Sequence, residues 1–245
     1  INMNLSNFFS GILNEKIIIG DISDWRNRIA LWKENYPICQ PEYFDTKGHV
    51  DPYVFMDILS KLTKKDCVII PDAGGNLTWT MQGYEPKVKQ TIFSAFNHSP
   101  MGYAFPAAIG AQFAAPHRQV ICIIGDGGIQ MNIQELETVV FYKLPIKIFV
   151  INNEGYGIIK QTQDTWLDSR YVGADPKNGL GIPNFVKIAN AYGIEAIEMK
   201  NQKKLNEKIR IALNIEGPVL CNVKLDPNQK IIPKLKWGRH LADLG

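Results

Sequence analysis

The chain predicts an α/β protein: a mostly parallel, doubly wound sheet with helices on both faces. Three observations carry that prediction. Short apolar runs of strand length alternate along the sequence with segments of helical periodicity. Several of the runs, residues 120–124 and 146–151 among them, are apolar on both faces and so need cover on both sides. The composition over 245 residues, 45% hydrophobic and 21% charged, is that of a folded globular protein. Lys and Arg number 27 against 24 Asp and Glu, a net charge of +3, which argues against a nucleic-acid or membrane-surface partner. No apolar run approaches the ~18–20 residues of a membrane span. Cys39, Cys67, Cys122 and Cys221 are thinly spread, three of them in strand-like runs. That is core usage in a reducing compartment such as the cytoplasm, with neither metal-ligand spacing nor a disulfide framework.

Residues 15–20 read as a short strand ending at a glycine turn. Asp24 is placed to cap a helix over 25–35, in which Trp25, Ile29 and Trp32 follow helical spacing. Residues 37–48, with two prolines and little periodicity, read as a linker. Asp51 followed by Pro52 is a helix start, with Phe55, Ile58, Leu59 and Leu62 as its buried stripe. Strands are then expected at 67–70, 91–93, 119–124, 146–151, 195–198 and 218–223. Helices are expected at 77–82, 101–115, 129–142, 182–192 and 201–214. Parallel strands joined by helices imply right-handed crossovers. Ile1 is not an initiator and no leader precedes the fold, so the chain reads as the C-terminal piece of a longer protein.

In such a sheet a ligand sits beyond the carboxyl ends of the strands, so the residues just after each strand matter most. Gly125-Asp126-Gly127-Gly128 follows the strand at 119–124, and Asn152-Asn153-Glu154-Gly155 follows the strand at 146–151. The 24 residues between Gly127 and Asn152 suffice for one helix and one strand, which places both turns at one sheet edge. Asp126, the Asn153 side chain and the Gly155 carbonyl then offer three hard oxygens, a set suited to Mg²⁺. Gly127 and Gly128 let a phosphate approach the backbone, and a helix starting near Ile129 would point free N–H groups at it. Gly-Asp-Gly alone is a common turn, as is Asn-Asn; their conjunction at this spacing is what points to a site. Gly74-Gly75-Asn76 and Ser99-Pro100-Met101-Gly102 are two further turns of the same kind.

Gly125-Asp126-Gly127 with Asn152-Asn153 resembles the thiamine diphosphate-binding motif. The string from Pro100 to Ala111, Pro-Met-Gly-Tyr-Ala-Phe-Pro-Ala-Ala-Ile-Gly-Ala, resembles the acetolactate synthase branch of that superfamily. Trp25, Trp32-Lys33 and Tyr36-Pro37 resemble the end of that branch's middle domain. The resemblance implies that residues 1–47 are the tail of the middle domain and a linker, and that 48–245 are the C-terminal pyrophosphate-binding domain. The pyrimidine-binding domain, and with it the family's activating Glu, lies outside this chain.

The resemblance also implies residue roles. Asp126, Asn153 and the Gly155 carbonyl are the Mg²⁺ ligands. Gly125, Gly127, Gly128, Gly75 and Asn76 form the diphosphate cradle, with Gly128 standing where the family usually has Ser or Ala. Met101 is the wedge under the cofactor, and the Ser99 carbonyl accepts from its 4′-amino group. Tyr156, Ile158, Ile159 and Gln163 roof the substrate, although the apolar pair could equally be core. Thr162 stands where acetolactate synthases tend to have Trp, which implies a relaxed preference for 2-ketobutyrate as acceptor. Residues 164–181 read as a lid or as a plain surface loop, and His98 as an acid/base group or a structural histidine. The Lys203, Lys204, Lys208 and Arg210 cluster reads as a solvated helix face.

The function implied is decarboxylation of pyruvate or a close 2-keto acid with carboligation, by a transferase dependent on thiamine diphosphate and magnesium. It would act as a homodimer or homotetramer completed by the protein's own N-terminal domains, with FAD possible in the middle domain. The alternatives are a 2-keto acid decarboxylase, two-carbon transfer to a keto sugar, and a catalytically silent cofactor-binding fold. A nucleotide-binding module is disfavoured, because no Gly-x-Gly-x-x-Gly or Gly-Lys-Ser/Thr loop is present.

Overall fold

The computed structural model describes residues 3–15, 20–233, 235 and 238–240. Its contacts divide the chain into two units, Ile1–Pro37 and Ile38–Gly245. The first holds α1 (Leu5–Asn14), capped by the Asn4 side chain, and α2 (Ser23–Asn35). Trp25 and Trp32 meet edge to face at 5.6 Å on α2, as their helical spacing requires. Asp24 does not cap this helix. It lies inside the first turn, and Asp21 accepts from the Ser23 N–H instead. The strand expected at 15–20 falls mostly on residues outside those described.

In the second unit the expected linker carries a 3₁₀ turn, Pro41–Asp45. Tyr43 packs at 5.7 Å on Tyr53, and Gln202 donates to the Tyr43 carbonyl, so this stretch belongs to the domain's surface layer. α3 (Pro52–Leu62) starts as its sequence dictates: Asp51 accepts from the N–H groups of Tyr53 and Val54, and Pro52 occupies the first turn. Its buried face is wider than expected, taking in Tyr53, Val54 and Met56.

The alternation follows. β1 (Val68–Pro71), α4 (Gly75–Gly83), β2 (Thr91–Ile92) and α5 (Ala104–Ala114) lead to β3 (Val120–Gly125). Then come α6 (Asp126–Gln130), α7 (Leu136–Phe141), β4 (Lys147–Asn152), α8 (Gly157–Trp166), α9 (Phe185–Ala191), β5 (Glu195–Met199), α10 (Leu205–Asn214) and β6 (Val219–Lys224). The single helix expected over 129–142 is two, separated by a 3₁₀ turn at Ile133–Glu135. It begins at Asp126 and breaks at Asn132, whose backbone leaves the helical region (φ −137°, ψ 28°). α5 starts three residues later than expected, because Gly102 at φ +86° cannot be part of a helix.

Among the described residues the sheet has six strands in the order β2-β1-β3-β4-β6-β5, every neighbouring pair parallel. Strand side chains alternate between two cores. Ile121, Ile123, Phe149 and Cys221 face α3, α4 and α10. Val120, Cys122, Ile124, Ile148 and Val150 face α5, α7 and α9. This is the two-sided cover that the apolar runs demanded. The chain goes from β1 outward to β2 and then back past β1 to β3, so the order reverses between β1 and β3. That switch point leaves a crevice at the carboxyl ends of the two strands.

Candidate functional site

A cleft of about 300 Å³ occupies the switch point. It is lined by the loop after β1, the Ser99–Met101 turn, the β3–α6 junction and the loop from β4 into α8, with Ile231 from near the C-terminus. Gly75, Asn76, Ser99, Met101, Gly125, Asp126, Gly127, Gly128, Asn153, Gly155 and Tyr156 all border this one cleft.

Register explains the gathering. Gly125 at the end of β3 pairs with Ile151 near the end of β4, so Asp126 and Asn152-Asn153 leave neighbouring strands about 4.8 Å apart. Asp126 is 2% exposed. One carboxylate oxygen accepts from the Gly127 N–H at 2.7 Å and the other from the Gly155 N–H at 3.1 Å, which binds the two loops together. Burial pushes its pKa up to about 6, against the opposing pull of those N–H groups and of Lys224. A carboxylate desolvated to this degree gains from a cation placed beside it.

The glycines are required by close approach. A Cβ on Gly127 would stand 2.2 Å from Cε1 of Tyr156 and 3.0 Å from the Met101 methyl. One on Gly128 would stand 2.3 Å from a carboxylate oxygen of Asp72, which accounts for glycine at this position. One on Gly155 would meet the Ala174 carbonyl at 2.4 Å, the same oxygen that accepts from the Tyr156 N–H. Gly75 lies over the Trp79 ring, and Asn76 turns back to donate to the Ala73 carbonyl.

Two expectations about the wall formed by α8 change. Thr162 is exposed and its hydroxyl donates to the Ile158 carbonyl of its own helix, so it does not face the cleft. Gln163 is likewise not a lining residue. Ile158 and Ile159 do line the cleft, and Gln161, one turn on from Ile158, joins them. Gln161 exchanges two hydrogen bonds with the backbone of Ile231, at 3.1 and 3.2 Å. Lys160 donates to the Pro227 carbonyl at 3.0 Å, so the chain after β6 is strapped across the cleft's end. Within residues 164–181, Ala174 is fully buried, Asp175 caps a 3₁₀ turn, and Tyr171 donates to Asp164. The lid reading therefore fails for the segment around Ala174. His98 is exposed and does not border the cleft.

Two residues went unnoticed in the sequence. Asp72, at the end of β1, accepts from the N–H groups of Gly102 and Ala104. Asn132 donates to the Gly102 carbonyl. The rule that strand ends carry chemistry pointed at Asp72; nothing local pointed at Asn132.

An open parallel sheet with a carboxylate–glycine turn and an amide–glycine loop facing one switch-point cleft defines a class, the α/β domains that bind a ligand beyond their strand ends. Residues 72–223 match the family described as "Thiamine pyrophosphate enzyme, C-terminal TPP binding domain", and the chain belongs to that family. It is 35% identical over 223 residues to the acetolactate synthase large subunit of Porphyra purpurea, covering 91% of this chain and 37% of that protein. It is 37% identical over 216 residues to the corresponding subunit of Cyanidium caldarium, covering 88% of this chain and 36% of that one. To the protein named "Acetolactate synthase catalytic subunit, mitochondrial" of Saccharomyces cerevisiae it is 32% identical over 225 residues, 90% of this chain and 32% of the relative. The chain thus spans about a third of the length of the curated relatives it matches.

Proposed function

We propose that the protein carrying this chain decarboxylates pyruvate or a close 2-keto acid and joins the remaining two-carbon unit to a carbonyl acceptor, in the manner of an acetolactate synthase. The observation that carries this reading is the junction of Asp126 with Gly155 across β3 and β4, with Tyr156 and Met101 closing over Gly127. In this reading residues 48–245 form the pyrophosphate-binding domain, and residues 1–47 the end of the preceding domain with its linker.

The donor set fits a magnesium diphosphate. Asp126, the Asn153 side chain and the Gly155 carbonyl are hard oxygens on adjoining loops. The first turn of α6 gives a backbone surface free of Cβ atoms at Gly127 and Gly128, where Asp126 has already drawn the Gly127 N–H toward itself. Thiamine diphosphate, when bound, supplies the carbon that attacks the keto acid and holds the electrons left by carbon dioxide. The chain's own residues orient and exclude. Met101 stands opposite Gly127 and limits how a bound molecule can bend. The Ser99 carbonyl lies at the same turn, as the acceptor for an amino group. Ile158 and Ile159 present apolar surface that keeps water from the reacting carbon. Lys224 pairs with Glu154 at 2.7 Å and so keeps a carboxylate beside the cleft neutralised.

The proposal includes a homodimer or homotetramer, with the activating carboxylate supplied from outside this chain. It also places the protein in a reducing compartment such as the cytoplasm, in keeping with four free cysteines, three of them buried. Carbon dioxide release from pyruvate by the full-length protein, dependent on both thiamine diphosphate and Mg²⁺ and yielding acetolactate, is the expected result. Release without a carboligation product would move the reading to a simple decarboxylase.

A further inference from the structure

We propose that Asp72 and Asn132 are positioning residues: they hold the two peptide groups that flank the Gly102 Cα and thereby set where Met101 stands over the glycine turn of α6. The inference rests on the cofactor reading above and adds to it the residues that hold the wedge in place.

Met101 cannot hold itself. The residue is 41% exposed and borders the cleft, so its place is fixed by its backbone. That backbone is unusual on both sides. Ser99 has φ +43°, a region that costs a non-glycine residue free energy, and Gly102 has φ +86°. A turn of this kind persists only where its surroundings over-determine it. They do so at one residue, through the peptide groups on either side of it. The Gly102 N–H donates to Asp72 at 3.0 Å, and the Gly102 carbonyl accepts from the Asn132 side chain at 2.7 Å. Asp72 also takes the Ala104 N–H at 3.1 Å and so caps α5 from a distance. A Cβ on Gly102 would sit 2.5 Å from the Asn132 amide and 3.0 Å from the Gly128 carbonyl, so the fit leaves room for no other residue.

The two grips come from different elements. Asp72 is anchored to the sheet, its own N–H donating to the Ile123 carbonyl of β3. Asn132 stands where the chain breaks out of α6, and that break is what turns its side chain toward Gly102. Any shift of the α6 turn relative to β1 is therefore passed to Met101. Gly128 completes the arrangement, because only the absence of a Cβ there leaves space for the Asp72 carboxylate.

The test separates the diphosphate end from the wedge end by using two probes on the full-length protein. Inorganic pyrophosphate with Mg²⁺ reports on the Asp126 side alone; thiamine diphosphate with Mg²⁺ also needs the wedge. Asn132→Ala and Asp72→Asn are compared with the parent by calorimetric titration and by thermal unfolding. The expected result is pyrophosphate affinity within about twofold of the parent, and thiamine diphosphate affinity lower by about tenfold or more. Asn132→Ala should also keep its unfolding temperature, and it decides the matter alone should Asp72→Asn fail to fold. Loss of both affinities together, or of neither, would overturn the assignment. A parent that binds pyrophosphate and thiamine diphosphate no better than a Gly127→Val variant would overturn the cofactor reading itself, and the positioning roles with it.

Discussion

The two edges of the sheet use their polar residues in opposite ways. At the amino-terminal edge, long charged side chains reach the free carbonyls of neighbouring loops. The Arg118 guanidinium donates to the carbonyls of Asp66, Cys67 and Lys89 and to the Thr91 hydroxyl. Lys147, at the start of β4, donates to the carbonyls of Ile215 and Gly217, and Gln119 donates to that of Leu213. At the carboxyl-terminal edge the residues that follow β1, β3 and β4 include Asp72, Asp126 and Asn153, which are short, and at Gly75, Gly127, Gly128 and Gly155 neighbouring atoms leave no space for a Cβ. The first edge ties off backbone groups where no cleft forms; the second ties them off around a cleft that it keeps open. Substitutions at the first edge should therefore move stability and leave ligand binding alone, and substitutions at the second should do the reverse.

The largest effect expected is at the cleft. Asp126→Ala should weaken Mg²⁺-dependent retention of thiamine diphosphate by on the order of 100-fold or more, since a charged ligand and a tie between two loops go together. Equilibrium dialysis with and without Mg²⁺ measures this, and the far-ultraviolet circular dichroism should match the parent.

Lys147 gives the counterpart at the other edge. Burial lowers its pKa to about 8 from 10.5, with the carbonyls of Ile215 and Gly217 as its hydrogen-bond partners. The unfolded chain then binds more protons than the folded one between those two pH values, so the folded state gains stability as pH rises through that window. Relative to Lys147→Met, the parent should gain about 3 kcal/mol between pH 7.5 and 10.5, read from urea unfolding. A flat difference would mean that Lys147 is better solvated than its burial implies.

Gly127→Ala should cost about tenfold in thiamine diphosphate affinity, because the added methyl meets the Tyr156 ring. Tyr156→Ala in the same protein should restore part of the loss. Equal losses in both backgrounds would show that the methyl acts on something else.

Much of this contrast could be read in advance, and what could not has a common cause. The strand ends were legible because their signals are local: an apolar run, then glycine, carboxylate or amide, with the spacing of one helix and one strand. The Asp51-Pro52 helix start was legible for the same reason. The grip on Gly102 was not, because Asp72 and Asn132 each lie 30 residues from it in sequence. The break in the helix expected over 129–142 stayed hidden with it, since Asn132 leaves helical geometry at the point where it meets that distant peptide. On α8 the error was one of phase. The resemblance puts Thr162 toward the acceptor, but the cleft side of the helix carries Ile158 and Gln161.

The smallest effect expected follows from that phase. Thr162→Trp should change the ratio of pyruvate to 2-ketobutyrate used as acceptor by less than about twofold, whereas Ile158→Ala should change it by about tenfold. A large response to Thr162→Trp would put that residue back in the acceptor site.

The central claim is that the carboxyl edges of β3 and β4 hold a magnesium diphosphate. A crystal structure of the full-length protein with thiamine diphosphate and Mg²⁺ tests it most directly. The account predicts one cation bound by Asp126, the Asn153 side chain and the Gly155 carbonyl at about 2.0–2.1 Å, with the diphosphate against Gly127 and Gly128 and Met101 beneath the cofactor. A diphosphate bound elsewhere, or a cation that leaves Asp126 uncoordinated, would contradict it.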